Sequence, residues 1–199
     1  MSNVEKPSAL DAAAAAALGM VPVVGSVMAE GYRYSRAMDA WRIRQMAEST
    51  RETVGDDNLI IQRLTEDERL VDLLAAAVDG ARRSSFEPKR IALGRVLAQA
   101  LTDDANILED AALITALAAL EAPHIQHLAR LAAEPPQPAP LAATVVPEPY
   151  RSQLVAQGVV YLTPGGETYD ASRQRIGGVT DFGHQLLAWL RDAESDRGD

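Results

Sequence analysis

Two histidines spaced three residues apart are the side chains best placed for metal chemistry. His124 and His127 fall on one face of a predicted helix, where two imidazoles can bind the same metal ion. Glu121 is the nearest carboxylate, and no other carboxylate is spaced to complete a ligand set. We therefore expect both histidines to have a surface or packing role, and we expect no bound metal.

Other catalytic signatures are missing from the sequence. There is no cysteine, which excludes thiolate nucleophiles, disulfides and Cys-based zinc sites. No nucleophile elbow, HExxH or P-loop pattern occurs, and Gly165-Gly166 lacks the lysine and the following helix of a phosphate loop. The acidic pairs Asp56-Asp57 and Asp103-Asp104 stand at predicted helix starts, where carboxylates stabilise free amides and the helix dipole. We expect no catalytic residue, no cofactor and no enzyme activity.

A cluster of positive charge brackets the predicted turn at residues 84–88. Its members are Arg82, Arg83, Lys89, Arg90 and Arg95. Five cations near one turn could hold a phosphate or an acidic partner. Alternatively, they pair with the acids between Glu66 and Asp72 and keep the protein in solution. The anion site is therefore one of two hypotheses for this cluster.

The overall charge disfavours two classes of partner. The 199 residues carry a formal net charge of -9. Nucleic acid and acidic membranes both require a cationic face, so we expect no nucleic-acid partner. Glu5 and Asp11 stand where a secretory signal would carry lysines, so we expect a cytoplasmic protein.

An uncharged segment from Ala12 to Ala29 is broken by Gly19, Pro22 and Gly25. Proline stops one helix and is tolerated in the first turn of the next, so residues 9–29 are predicted to form a hydrophobic helical hairpin. The segment is rich in alanine and barely long enough to span a bilayer. We expect it to be buried. The alternatives are an element that leaves the bundle to contact a membrane or a partner, and a true membrane span.

A long helix is predicted from about residue 23 to residue 53. Its apolar side chains recur at intervals of three and four and form one stripe. A long helix with such a face is a plausible seam between subunits, so we expect a homo-oligomer or a protein partner to bind here. The predicted interface consists of Val24, Val27, Met28, Tyr34, Met38 and Trp41.

The rest of the chain is predicted to be mainly α. Thr65 and Glu68 have capping-box spacing and predict one helix start, and further starts are predicted at residues 84–88, at Asp103-Asp104 and at Pro123. The proline-rich residues 134–149 predict a connector. After it, the pattern predicts a helix at 150–157, strands at 159–163 and 176–179, and a final helix from Thr180.

This order of elements is typical of a winged-helix domain. We therefore predict an N-terminal hairpin and helical bundle over residues 1–104, and a winged-helix-like subdomain with a small β-ribbon over residues 105–192. Residues 193–199 are predicted to be a polar tail.

Four segments resemble uncharacterised bacterial helical proteins that are similar to the abortive-infection alpha family. They are LTEDERLVDLLAAAVDGARRSS, EPKRIALGRVLAQALTDD, ITALAALEAPHIQHLARL and IGGVTDFGHQLLAWL, and the resemblance spans residues 60–192. It implies a bacterial or phage protein connected with phage–host conflict and a winged-helix-like end. It carries no catalytic residues, and the N-terminal hairpin has no counterpart in it.

The sequence therefore favours a non-enzymatic interaction or regulatory protein that self-associates through its N-terminal helices. Two alternatives stay open. One is a membrane-active effector that uses the apolar hairpin at residues 9–29, and the other is a winged-helix transcription regulator.

Overall fold

The computed structural model describes residues 26–133, 146–163 and 175–195, and the described chain is mainly helical. This confirms the predicted helical character of the chain. The hairpin predicted at residues 9–29 lies outside the described residues, except for four residues at the start of the first helix. The described helices are α1 (Ser26–Val54), α2 (Asp57–Glu66), α3 (Glu68–Arg83), α4 (Glu87–Thr102), α5 (Ile107–Ala119), α6 (Ala122–Ala133), α7 (Glu148–Ala156) and α8 (Asp181–Ser195).

The chain divides into two compact units, and the division falls inside α5. The first unit ends at Ile114 and the second begins at Thr115. The boundary predicted from the sequence was at residues 104–105, where a short 3-10 turn (Asp104–Asn106) leads into α5.

In the first unit, α1 and α4 cross at a glycine. A Cβ atom on Gly94 would lie 2.3 Å from the carbonyl oxygen of Met46 and 2.9 Å from Cβ of Ser49. The hydroxyl of Thr50 donates to the Gly94 carbonyl at 3.0 Å, and the hydroxyl of Ser49 donates to the Ile91 carbonyl at 3.1 Å. The missing side chain at Gly94 therefore allows the backbones to approach until hydroxyls on α1 reach the carbonyls of α4.

Helix α4 lies at the centre of the first unit, because it is buried on nearly every side. A helix that contacts neighbours all round needs no polar face, and α4 accordingly packs against both α1 and α3. Helix α3 is amphipathic instead and turns one apolar face inward. The buried leucines of the two helices are Leu70, Leu73, Leu74, Leu93, Leu97 and Leu101.

The helix start predicted at Thr65 is wrong. Helix α2 continues to Glu66, and the Thr65 hydroxyl donates to the Ile61 carbonyl within it. Asp67 caps α3 instead, because its side chain accepts from the backbone N–H of Arg69 at 2.9 Å. The N-cap of α3 therefore lies two residues after the predicted one.

The second unit contains a two-stranded antiparallel sheet of β1 (Val160–Thr163) and β2 (Arg175–Val179). The register shifts between Tyr161 and Leu162, which pair with Gly178 and Ile176, so the extra residue on β2 is Gly177. The ring of Tyr161 lies across Gly177 and Gly178, where a Cβ atom on either residue would meet ring atoms at less than 3 Å. The two glycines therefore make room for this exposed tyrosine.

Helix α8 is tied to the end of α7 through one threonine. Gly158 ends α7 with a φ of 68°, which favours glycine, and its carbonyl accepts from the Thr180 hydroxyl at 2.8 Å. The Thr180 hydroxyl also accepts from the backbone N–H of Gly183 at 3.0 Å and so caps α8. Helix α6 packs against α7, α8 and β2.

Within the described ranges, no helix is both long and apolar enough to cross a membrane.

Candidate functional site

Helix α1 carries the predicted interface, and the structure shows which part of it faces solvent. Tyr34 is 70% exposed and Trp41 is 44% exposed, whereas Met38 is half-buried. Val24 lies outside the described residues. Val27 and Met28 belong to the first turn of α1, and their side chains are outside the described part.

The exposed side of α1 follows a heptad pattern that differs from the predicted stripe. Exposed residues recur at intervals of three and four, which is the spacing of a seam between two helices. We call this surface the α1 face. It is formed by Tyr34, Ala37, Trp41, Arg44 and Glu48.

The ring of Trp41 contacts Arg90, whose side chain is almost completely buried. The Arg90 guanidinium carbon lies 4.9 Å from the centroid of the Trp41 ring, within the range of a cation–π contact. Arg90 Nε donates to Oε1 of Gln45 at 2.7 Å, and its Nη1 donates to the Ser84 carbonyl at 2.9 Å. Gln45 in turn donates to Glu87 at 3.3 Å. The Trp41 indole therefore contacts a buried guanidinium whose position is fixed by hydrogen bonds.

The five cations predicted as an anion site do not form one surface. Lys89 and Arg90 are buried in α4, and Arg95 is half-buried in the same helix. Arg82 and Arg83 are exposed and both pair with Asp79, at 3.0 and 2.5 Å. The acid that neutralises this pair lies on their own helix, one turn back, and not between Glu66 and Asp72. Anion binding by the cluster stays a prediction.

The two histidines meet an aromatic side chain. The rings of His124 and His127 lie 5.2 and 5.0 Å from that of Tyr150, measured between centroids. Nδ1 of His124 accepts from the backbone N–H of Glu121 at 3.1 Å, which caps α6. Nδ1 of His127 is buried and has no hydrogen-bond partner among the described residues. Both rings therefore join α6 to α7 through Tyr150.

No set of three His, Asp or Glu side chains in the described part of the chain is arranged to hold a metal ion.

Sequence reasoning missed one buried acid, Asp110 in the first turn of α5. Its Oδ1 accepts from the Gln99 amide at 3.0 Å, while Oδ2 is buried with no partner among the described residues. Burial raises the pKa of Asp110 to about 6, and the negative charges of Glu109 and Asp103 act in the same direction. An acid at a helix start is normally read as a cap, so the sequence offered no signal for its burial.

Comparison of the chain with protein-family models, with curated proteins and with solved structures finds no match. The resemblance to the abortive-infection alpha family therefore stays a prediction, as does the connection with phage–host conflict.

Proposed function

We propose that this protein is a non-enzymatic interaction module that self-associates through the α1 face. The observation that carries the proposal is the exposure of Tyr34 and Trp41 on one side of a helix whose other side is core. Large aromatic side chains left in water lower the free energy when a partner covers them, and tryptophan and tyrosine are enriched among the residues that dominate binding.

The chemistry of the α1 face suits a second copy of the same chain. Arg44 and Glu48 add opposite charges one and two turns after Trp41, so the surface can pair with itself without leaving charge uncompensated. Ala37 is small and permits close approach of two helices near the N-terminal end of the seam. The heptad spacing of the exposed residues allows the contact to extend over two heptads, which is about four turns of helix.

We further infer that the second unit has a winged-helix-like arrangement. Its order of helix, helix, strand, strand and helix after Ala119, with antiparallel pairing of β1 and β2, supports this inference. We assign it to protein contact and not to DNA reading, because Arg151 on α7 forms an ion pair with Glu148 one turn earlier. A cation already neutralised by its own helix contributes little to phosphate binding.

The mass of the protein in solution tests self-association. Light scattering behind a size-exclusion column should give a multiple of the protomer mass of 21.3 kDa for the wild type. The double variant Tyr34→Ser/Trp41→Ser should shift toward the protomer. Leu108→Ser is the matched control, because Leu108 is 82% exposed on α5 and lies outside the α1 face. Its mass should equal that of the wild type.

Point substitutions are preferable here to removal of the whole helix. Deletion of residues 1–54 would also remove Met46 and Thr50, which pack on α4, so loss of fold and loss of association would be confounded. A wild-type protein that elutes at the protomer mass at every concentration would contradict the proposal. Flotation with phosphatidylglycerol vesicles that is lost on deletion of residues 1–25 would favour the membrane-active effector instead.

A further inference from the structure

We infer that Arg90 is a positioning residue that fixes the Trp41 ring in the orientation in which a second copy binds it. This inference rests on the proposed self-association, and it names the feature of the α1 face that makes binding specific. Arg90 itself is buried and does not touch the second copy. It acts through the indole that it supports.

The contacts around Arg90 leave the guanidinium little freedom. One edge donates to the Gln45 side chain and another to the Ser84 carbonyl, so the plane of the group is fixed from two directions. Ser84 is itself buried in the turn between α3 and α4, and its hydroxyl accepts from the backbone N–H of Phe86 at 3.1 Å. The cation is therefore anchored to the backbone of the turn and to α1 at the same time.

This anchoring bears on the face that Trp41 presents to solvent. An exposed side chain with free rotamers loses conformational entropy when a partner covers it, and that loss weakens binding. The attraction between the guanidinium and the ring selects one rotamer before the partner arrives. Trp41 is thus half-covered by its own protein and half-available to another, which suits a central anchor in an interface.

Lysine would not replace arginine at this position. An ammonium group is a point charge without the planar fork, so it cannot donate to Gln45 and Ser84 in the same geometry while it contacts the indole. Methionine would fill similar space and remove the charge. The two substitutions therefore separate the volume of the side chain from its fork and its charge.

The test uses full-length protein with Trp189→Phe, so that Trp41 is the sole tryptophan. We would measure the dissociation constant of the dimer by sedimentation velocity and the local motion of Trp41 by time-resolved fluorescence anisotropy. Arg90→Met should weaken association by about tenfold or more and add a fast component to the anisotropy decay. Arg90→Lys should lie between Arg90→Met and the parent protein in both measurements.

Arg83→Met is the matched control, because Arg83 is an exposed arginine at the end of α3, next to the turn that contains Ser84. It pairs with Asp79. Arg83→Met should change neither measurement. If Arg90→Met does not fold, as judged by circular dichroism, then Gln45→Ala decides the question. That variant removes the acceptor of the hydrogen bond from Arg90 Nε, and Gln45 is only half-buried. It should weaken association several-fold.

Folded Arg90 or Gln45 variants that dimerise with the parent dissociation constant would overturn the inference and leave the proposed self-association intact. An unchanged anisotropy decay in Arg90→Met would overturn it as well. A parent protein that never dimerises would instead refute the proposed function, and with it the role given to Trp41.

Discussion

Asp110 shows how a single buried carboxyl group links stability to pH. In the unfolded chain its pKa takes the ordinary value near 3.8, and in the folded protein burial raises it to about 6. Between these two values the folded state binds more protons than the unfolded state, so stability increases as the pH falls through 6. Protonation also supplies a donor on a carboxyl oxygen that otherwise lies buried as an anion.

We expect the free energy of unfolding of Asp110→Asn to exceed that of the wild type by about 1–3 kcal/mol at pH 7.5. The side-chain oxygen of asparagine keeps the hydrogen bond from Gln99, and the substitution removes the buried negative charge. Urea denaturation from pH 7.5 to pH 4.5 should show this difference shrink with acidification, as the wild-type carboxyl becomes protonated. Other titrating groups are common to both proteins and cancel in the difference. A difference in unfolding free energy that stays constant with pH would contradict the raised pKa of Asp110.

Asp67 and Thr65 provide a second test at the scale of single residues. Asp67 caps α3 and also binds the Arg69 side chain, which lowers the pKa of the Asp67 carboxyl. We expect Asp67→Ala to lower the free energy of unfolding by about 1 kcal/mol, measured by thermal or urea denaturation.

Thr65→Ala is the control for that prediction, because the Thr65 hydroxyl bonds only within α2 and caps nothing. Its effect should stay within about 0.5 kcal/mol. A larger loss of unfolding free energy in Thr65→Ala than in Asp67→Ala would instead support the capping box predicted at Thr65 and Glu68.

The crossing of α1 and α4 is the element-scale feature that most depends on one residue. A methyl group on Gly94 would overlap the Met46 carbonyl, which is backbone and cannot move without separating the helices. We therefore expect Gly94→Ala to lower the free energy of unfolding by about 1–3 kcal/mol, even though alanine favours a helix. Urea denaturation monitored by circular dichroism would measure it.

Ser49→Ala removes an oxygen at the same crossing and adds no atoms, so it separates lost hydrogen bonding from overpacking. Its expected cost is about 1 kcal/mol, the typical value for one bond to a backbone carbonyl. A Gly94→Ala protein as stable as the wild type would mean that the helices do not meet as closely as described.

The elements themselves could largely be predicted from the sequence, because their signals are local. The apolar period of α3, the glycine that ends α7 at position 158 and the threonine before α8 all act within one or two turns of chain. The relation between elements could not be predicted. Trp41 and Arg90 meet only because α1 and α4 cross at Gly94, and nothing within either segment encodes that crossing.

The burial of Arg90 beside Trp41 could not be predicted from the sequence for the same reason. Arginine and lysine near a turn are usually exposed, so the sequence predicts one cationic cluster of Arg82, Arg83, Lys89, Arg90 and Arg95. In the structure α4 is central and packs against α1 and α3, and Lys89 and Arg90 are buried in it. Burial of a charge depends on the packing of three helices, which no local pattern in the sequence reports.

At the scale of the whole molecule, charge decides between a protein partner and nucleic acid. The chain has 28 acidic against 19 basic residues, and several exposed arginines already bind carboxylates on their own or neighbouring helices. These pairs join Arg51 to Asp57 and Arg69 to Asp67, as well as Arg82 and Arg83 to Asp79. Binding to a duplex would require such pairs to be exchanged for phosphates, which releases few counterions in net terms.

We therefore expect no gel shift of duplex DNA by micromolar protein at about 50 mM salt, the condition that most favours binding to phosphates. A shift at about 50 mM that disappears at about 200 mM would argue for the winged-helix regulator instead. In that event Arg151→Gln identifies the surface responsible, because Arg151 is the only cation on α7, a described helix in the place of a recognition helix. Loss of the shift in Arg151→Gln, with self-association unchanged, would assign DNA binding to the second unit and leave the α1 face as a separate function of the first.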